Sequence, residues 1–169
     1  MKEIIKNNKS IFIVFIGIIL LIIVAIILII SSNKKTFDLS EVSKQFTKYY
    51  SDIHLEELEK ENIDYYFSLP SSELDEALLL SNFNPNELDS ESEDSPCLLL
   101  VLNNLSREDI NEYYEALNAF VISYDNVEDN NELVSLYKKS ILMKGKNYIY
   151  FIMGDNNKVM EKELLRLYK

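Results

Sequence analysis

The sequence has few of the residues on which most catalytic and metal sites depend. It contains one cysteine, one histidine, three glycines and no tryptophan among 169 residues. Zinc sites need several Cys or His ligands, and phosphate-binding loops need glycines, so zinc enzymes, P-loop proteins and dinucleotide-binding proteins are disfavoured. The Gly-x-Ser-x-Gly motif of many hydrolases is also missing. We therefore predict no catalytic, cofactor-binding or metal-ligating residue, and no cofactor.

The single cysteine and the single histidine fit structural roles better than catalytic ones. Cys97 begins the apolar run Cys97–Leu102, where a buried thiol is the usual outcome. One cysteine also excludes a disulfide within the chain. His54 is followed by Leu55-Glu56-Glu57 and not by the Glu-x-x-His spacing of zinc proteases, so we expect a surface or half-buried histidine.

Charge divides the chain into two unlike parts at Lys35. The first part carries five lysines and one glutamate, a net charge of +4, whereas the remainder carries 12 basic and 27 acidic residues, a net charge of −15. Nucleic-acid binding rests on Lys and Arg contacts with phosphates, so this acidic part argues against a nucleic-acid partner. Anionic lipid head groups would also repel it, so we expect only the N-terminal part to contact the membrane.

A long apolar segment lies near the N-terminus. Residues Ile11 to Ile30 are all Ile, Leu, Val, Phe or Ala, apart from Gly17. At ~1.5 Å per residue, a helix of this length spans about 30 Å, the hydrocarbon thickness of a bilayer. The segment is too long for a signal peptide, and the residues after Ile30 lack an Ala-x-Ala-like cleavage site. We therefore predict a transmembrane helix in contact with membrane lipid.

This segment predicts four successive parts of the chain. They are a short cytoplasmic tail (1–10), the transmembrane helix (11–30), a juxtamembrane linker (31–37) and an extracytoplasmic α+β domain (38–169). Lysines flank both ends of the apolar segment, so the positive-inside count does not decide the orientation. A short N-terminal tail before a long C-terminal domain is typical of a signal anchor. We expect a single-pass protein of the cell membrane.

Hydrophobic periodicity predicts the elements of the domain. We predict helices over 38–50, 72–80, 106–121 and 132–139, a short charged helix over 55–61, and a last helix that buries Met160, Leu164, Leu167 and Tyr168. Strands are predicted over 97–102, 141–143 and 148–153. The order of these elements predicts a roughly three-stranded antiparallel or mixed sheet with helices packed on one face.

Capping and turn signals mark several of these boundaries. Asp38 with Glu41, and Ser106 with Asp109, follow helix N-cap patterns. The predicted β-hairpin turns at 144–147, where Gly145 is expected to adopt the left-handed conformation.

An acidic segment, 87–96, carries five carboxylates interleaved with serines. This composition predicts a solvated loop, and a calcium site is the alternative. The segment lacks the spacing and the glycine of an EF-hand loop.

The eleven tyrosines all follow the apolar segment and include three doublets, Tyr49-Tyr50, Tyr65-Tyr66 and Tyr113-Tyr114. Exposed aromatic residues bind sugars and partner proteins. At least two doublets lie on predicted helical core faces, so a core role is the favoured prediction.

Three features together suggest a relationship. They are the strand Cys97–Leu102, the helix that ends in Glu-Ala-Leu-Asn-Ala-Phe at 115–120, and the segment Gly145–Ile152. With these features the domain resembles a family of small extracytoplasmic proteins of Gram-positive bacteria, known only as a domain of unknown function. Members of that family usually carry a lipidated cysteine, which this chain replaces with an apolar helix. The resemblance implies a location outside the cytoplasmic membrane and supplies no site residues.

Two functional hypotheses follow. The first is a non-enzymatic module of the cell envelope that binds an envelope protein or a second copy of itself. The alternative is a protein that binds a solute or cell-wall fragment, or a hydrolase that uses an unidentified carboxylate site.

Overall fold

The structure, a computed structural model, describes residues 15–26, 35–83, 95–125, 127 and 132–169. The chain divides into two compact units, Met1–Lys35 and Thr36–Lys169. In the first unit, residues 15–26 form helix α1, and all its residues are exposed. Within the described part of the chain, no helix is long and apolar enough to cross a membrane. Both ends of the predicted transmembrane helix, 11–14 and 27–30, lie outside the described residues.

The second unit is an α+β domain with a five-stranded antiparallel sheet. Its helices are α2 (Leu39–Tyr49), α3 (Asn62–Phe67), α4 (Arg107–Asp125), α5 (Glu132–Lys138) and α6 (Asn157–Arg166). Its strands are β1 (Glu56–Leu58), β2 (Glu76–Ser81), β3 (Leu98–Asn103), β4 (Ile141–Lys144) and β5 (Ile149–Met153), in the spatial order β1-β2-β3-β5-β4. The α+β class is thus confirmed, whereas the predicted number of strands was too small.

Strand β3 lies at the centre of the sheet, and all its side chains are buried. It pairs with β2 on one side and with β5 on the other, so that Leu100 lies between Leu79 and Phe151. Because neighbouring side chains of a strand point to opposite faces, the apolar run of β3 makes both faces of the sheet apolar.

Helices cover both faces of the sheet, which corrects the prediction of helices on one face. Helices α3, α4 and α5 contribute to the core on the face of Leu98, Leu100 and Leu102. Helices α2 and α6 contribute to the core on the face of Leu99 and Val101. A sheet whose central strand is apolar on both faces needs a layer on each side to exclude water.

Two predicted helices were wrong. Residues 72–80, predicted as helix, form a 3-10 turn at Ser71–Glu73 followed by β2. Residues 55–61 contain β1 in place of a charged helix. A short apolar run such as Ala77–Leu80 is compatible with helix or strand, and pairing with β3 decides between them. Helix α3, before the turn at Ser68, was not predicted.

Both predicted caps are present. The Asp38 carboxylate accepts a hydrogen bond of 3.1 Å from the Glu41 N–H at the start of α2. Ser106 and Asp109 form a reciprocal pair before α4, since each side chain accepts a 3.2 Å hydrogen bond from the other residue's N–H. In α6, Met160 and Leu164 are buried as predicted, whereas Leu167 and Tyr168 follow the helix and are half-buried.

The prediction of a left-handed Gly145 was wrong, because Gly154 is the only glycine with positive φ in the part of the chain that the structure describes. Space favours glycine at position 145. A Cβ atom here would overlap the ring of Tyr148, so any larger residue would require that ring to move.

The two ends of the domain are joined next to the sheet. The Thr36 N–H donates to the Lys169 carbonyl at 2.7 Å, and the Lys169 N–H donates back at 3.1 Å. The buried side chain of Asn103 donates to the Phe37 carbonyl at 2.8 Å and accepts from the Phe37 N–H at 3.4 Å. These bonds hold the start of α2 beside the end of α6.

We expect Leu100→Ala to lower the free energy of unfolding by about 2–5 kcal/mol, because it leaves a cavity at a fully buried position. Leu165→Ala is the matched control, since Leu165 is 43% exposed and should change the value by less than about 0.5 kcal/mol. Near-UV circular dichroism during urea unfolding of the detergent-solubilised chain measures both, because every tyrosine lies in this domain. Equal losses in the two variants would contradict the central role of β3.

Candidate functional site

A cleft of about 200 Å³ lies between α2 and α6, and we call it the α2–α6 cleft. It is smaller than the roughly 300–1,000 Å³ of pockets that hold small molecules. Its size suits one side chain better than a cofactor. The lining residues come from the end of each helix: Gln45, Phe46, Tyr49, Tyr50, Glu163, Arg166 and Leu167.

Aromatic side chains form one wall of the cleft. Phe46 is buried and its ring stacks with that of Tyr50, with 5.9 Å between the ring centroids. Tyr49 meets Tyr50 edge to face at 4.9 Å, and 65% of Tyr49 is exposed. The inward face of α2 therefore continues past Phe46 into an aromatic surface that solvent reaches.

An ion pair forms the opposite rim. The Arg166 guanidinium donates two hydrogen bonds to the carboxylate of Glu163, at 2.7 and 2.9 Å. This pair lies at i, i+3 on α6, where side chains are neighbours. Glu163 is the only carboxylate among the residues that line the cleft. A glycosidase mechanism needs two carboxyl groups, so this arrangement does not supply one.

The hydroxyl of Tyr50 is buried and has no hydrogen-bond partner among the described residues. Burial raises its pKa to about 12, and the negative charges available to Cys97, Tyr49 and Glu163 add to the effect. A buried hydroxyl without a partner costs free energy in the isolated protein.

Two other depressions lie elsewhere on the surface of the domain. One, of about 540 Å³, is open and includes Glu76, whose carboxylate is held by the side chains of Asn103 and Asn104. The other, of about 330 Å³, lies at the start of α6 beside Asn157. The Asn157 amide donates to the Lys139 carbonyl at 2.8 Å, which ties α6 to the end of α5.

Cys97 and His54 occupy separate and dissimilar places. Cys97 is 3% exposed, its sulfur lies 3.8 Å from that of Met160, and burial, with the charge of Asp155, raises its thiol pKa to about 12. Such a thiol is a poor nucleophile near neutral pH. His54 is exposed and adopts a left-handed conformation with φ 48° after a 3-10 turn.

No group of three or more His, Cys, Asp or Glu side chains suited to a metal ion occurs in the ranges that the structure describes. Residues 84–94, which include most of the acidic segment 87–96, lie outside those ranges. The calcium hypothesis therefore stays a prediction.

The tyrosine doublets divide between core and surface. Tyr113 is buried, whereas Tyr49 and Tyr65 are 65% and 61% exposed. Sequence periodicity placed Tyr49 and Tyr50 on the inward face of α2 but did not reveal that a cleft follows. The signal available was the position of the doublet at the end of the helix.

Comparison with protein-family profiles, with curated protein sequences and with solved structures finds no match to this chain. The protein can therefore be classified by its fold alone. It is an α+β domain with helices on both faces of a five-stranded antiparallel sheet.

We expect Tyr50→Phe to raise the free energy of unfolding by about 1 kcal/mol near neutral pH, because it removes a buried hydroxyl that has no partner. Tyr150→Phe is the matched control. It should lower the value by about 1.5–3 kcal/mol, since the Tyr150 hydroxyl donates a 2.8 Å hydrogen bond to Glu161.

The pH dependence gives a second readout of the same variant. Burial raises the folded-state pKa of Tyr50 from 10.0 to about 12, so above pH 10 the unfolded chain loses this proton first and the free energy of unfolding falls until the pH reaches about 12. Tyr50→Phe should therefore lose less stability than the wild type across this interval in urea unfolding. An equal loss in both proteins would contradict the buried placement of the hydroxyl.

Proposed function

We propose that this chain is a single-pass membrane protein whose acidic α+β domain lies outside the cytoplasmic membrane. There the domain binds another protein of the cell envelope and catalyses no reaction. The observation that carries the binding role is the α2–α6 cleft, an aromatic recess with a paired charge at its rim.

The composition of the cleft favours a protein partner. Tyrosine and arginine are enriched at the energetic centres of protein interfaces, and both residue types line this recess. The partner would insert one apolar or aromatic side chain between Tyr49 and Leu167.

The same geometry supports a non-enzymatic role. Catalysis needs several polar groups that converge on a reacting atom. Glu163 is already held by both hydrogen bonds from Arg166, and Tyr50 keeps its proton at neutral pH because its pKa is about 12. The solute-binding alternative would rest on the depression of about 330 Å³ at the start of α6, where Asn157 Oδ1 is buried without a hydrogen-bond partner among the described residues. That depression has no aromatic or arginine side chain in its lining, so the cleft is the better candidate for a protein partner.

The membrane anchor is proposed from the apolar segment 11–30. Its described part, α1, exposes large apolar side chains, including Phe15 at 63% and Leu21 at 70%. A continuous exposed apolar surface is typical of contact with lipid or with another protein. A helix over the whole segment would satisfy its backbone hydrogen bonds within the bilayer.

We expect the wild-type chain to stay with membranes after alkaline carbonate extraction. Ile19→Lys combined with Ile22→Lys should release much of the chain or prevent its insertion, because each lysine costs about 2.5–3.5 kcal/mol near the helix centre. Ile19→Leu with Ile22→Leu is the matched control and should remain with the membrane. Release of the wild type by carbonate would refute the anchor.

The orientation has a direct readout in the same cells. Glu115 is exposed on α4, so a Glu115→Cys variant should react with a membrane-impermeant maleimide on intact cells. The wild type is the control, since its one thiol is buried. Labelling that appears only after the cells are lysed would place the domain in the cytoplasm and contradict the proposal.

We expect Tyr49→Ala to lower recovery of a crosslinked envelope partner from intact cells by at least about tenfold. This corresponds to a loss of about 1.4 kcal/mol or more in the free energy of binding. Tyr65→Ala is the control, because Tyr65 is 61% exposed and lies outside the cleft. Equal recovery with both variants would exclude the cleft as the binding surface. A small molecule retained in the purified protein would favour the alternative.

A further inference from the structure

The sheet has two outer strands, β1 and β4, and each pairs with one neighbour. Among the described residues, no hydrogen bond involves the backbone of 56–58 or 141–144 outside these two pairings. An outer strand presents unpaired N–H and C=O groups that can pair with another extended segment. Within the described ranges, each copy of the domain therefore has two unpaired sheet edges.

The two edges carry opposite charge. Around β4, residues 138–146 include four lysines and no acidic residue. Lys138 donates to the Val127 carbonyl and Lys144 to the Asn111 side chain, so the exposed lysines Lys139 and Lys146 are the ones available to a neighbouring copy. Around β1, residues 56–61 include one lysine and four glutamates: Glu56, Glu57, Glu59 and Glu61. The lysine-rich edge is exceptional in a domain with 27 acidic and 12 basic residues.

The geometry allows these edges to meet only between different copies. They are separated by β2, β3 and β5, so at about 4.8 Å per strand they lie roughly 19 Å apart in one sheet. Two β4 edges would repel each other, and so would two β1 edges. A β4 edge beside a β1 edge brings lysines next to glutamates and also covers Met143, which is 48% exposed.

We propose that copies of this chain assemble head to tail, with the β4 edge of one domain paired to the β1 edge of the next. Such pairing is heterologous, so each added copy leaves one edge of each kind free, and the assembly grows as an open chain or closes into a ring. A shared membrane would raise the effective concentration of the edges. This surface is distinct from the α2–α6 cleft, so the two proposals stand or fall separately.

Cysteine crosslinking of the full chain in membranes tests this arrangement. A chain with both Glu57→Cys and Met143→Cys should give a ladder of dimers, trimers and larger species with a bis-maleimide whose spacer is much shorter than 19 Å. Each single variant should give no dimer, because head-to-tail contact joins the two unlike positions. Cys97 does not interfere, since it is buried.

Charge reversal gives the control on specificity. Two substitutions, Lys146→Glu and Glu59→Lys, are added to the double-cysteine chain. Each alone should lower the yield of crosslinked species at least fivefold, and the two together should restore it. A second cysteine pair, Glu61→Cys with Lys144→Cys, replaces the first if that variant does not fold by near-UV circular dichroism, and it leaves Lys146 and Glu59 for the charge reversals.

Four results would overturn the proposal. A dimer from Met143→Cys alone would show β4–β4 pairing. A ladder that neither charge reversal weakens would show nonspecific contact. Absence of a ladder from a folded chain, or crosslinking to a different protein alone, would exclude a second copy as the occupant. Recovery of the envelope partner in the Tyr49→Ala and Tyr65→Ala comparison is independent of each of these outcomes.

Discussion

Burial of β3 on both faces is the constraint on which the rest of the domain depends. Six consecutive residues in a dry interior leave twelve backbone groups that need partners, and β2 and β5 supply them from the two sides. The side chains of β3 alternate between two apolar cores. Each core needs a helical layer, so the domain has helices above and below the sheet.

Asn103 ends β3 and links this core to the elements that form the α2–α6 cleft. Its amide holds the Phe37 backbone at the start of the domain, and the neighbouring Thr36 pairs with Lys169 at the C-terminus. Helix α2 begins after Phe37 and α6 ends before Lys169, so these bonds keep the two helices side by side. The α2–α6 cleft is a consequence of how the ends of the domain are joined.

The domain offers two surfaces with different chemistry. The cleft is small, aromatic and nearly neutral at its rim, which suits one inserted side chain. The sheet edges are extended and oppositely charged, which suits backbone pairing between copies. An acidic domain that is proposed to sit beside a membrane would use both without contacting anionic head groups, which repel it.

Local signals predicted a large part of this fold. Elements that depend on residues close in sequence can be predicted without a structure. They are the caps at Asp38 and Ser106, the apolar strand Leu98–Asn103 and the hairpin of β4 and β5. Strand β2 was not predictable in this way, because Ala77–Leu80 suits a helix or a strand until β3 lies beside it. The cleft is a stronger case, since Tyr50 and Glu163 are distant in sequence and meet only when both helices pack on one face of the sheet. Sequence alone thus established the apolar segment, the acidic domain and most of its elements. Long-range packing decided the number of strands, the two helical layers and the cleft. These features could not be predicted because contacts between distant residues leave no periodic pattern in the chain.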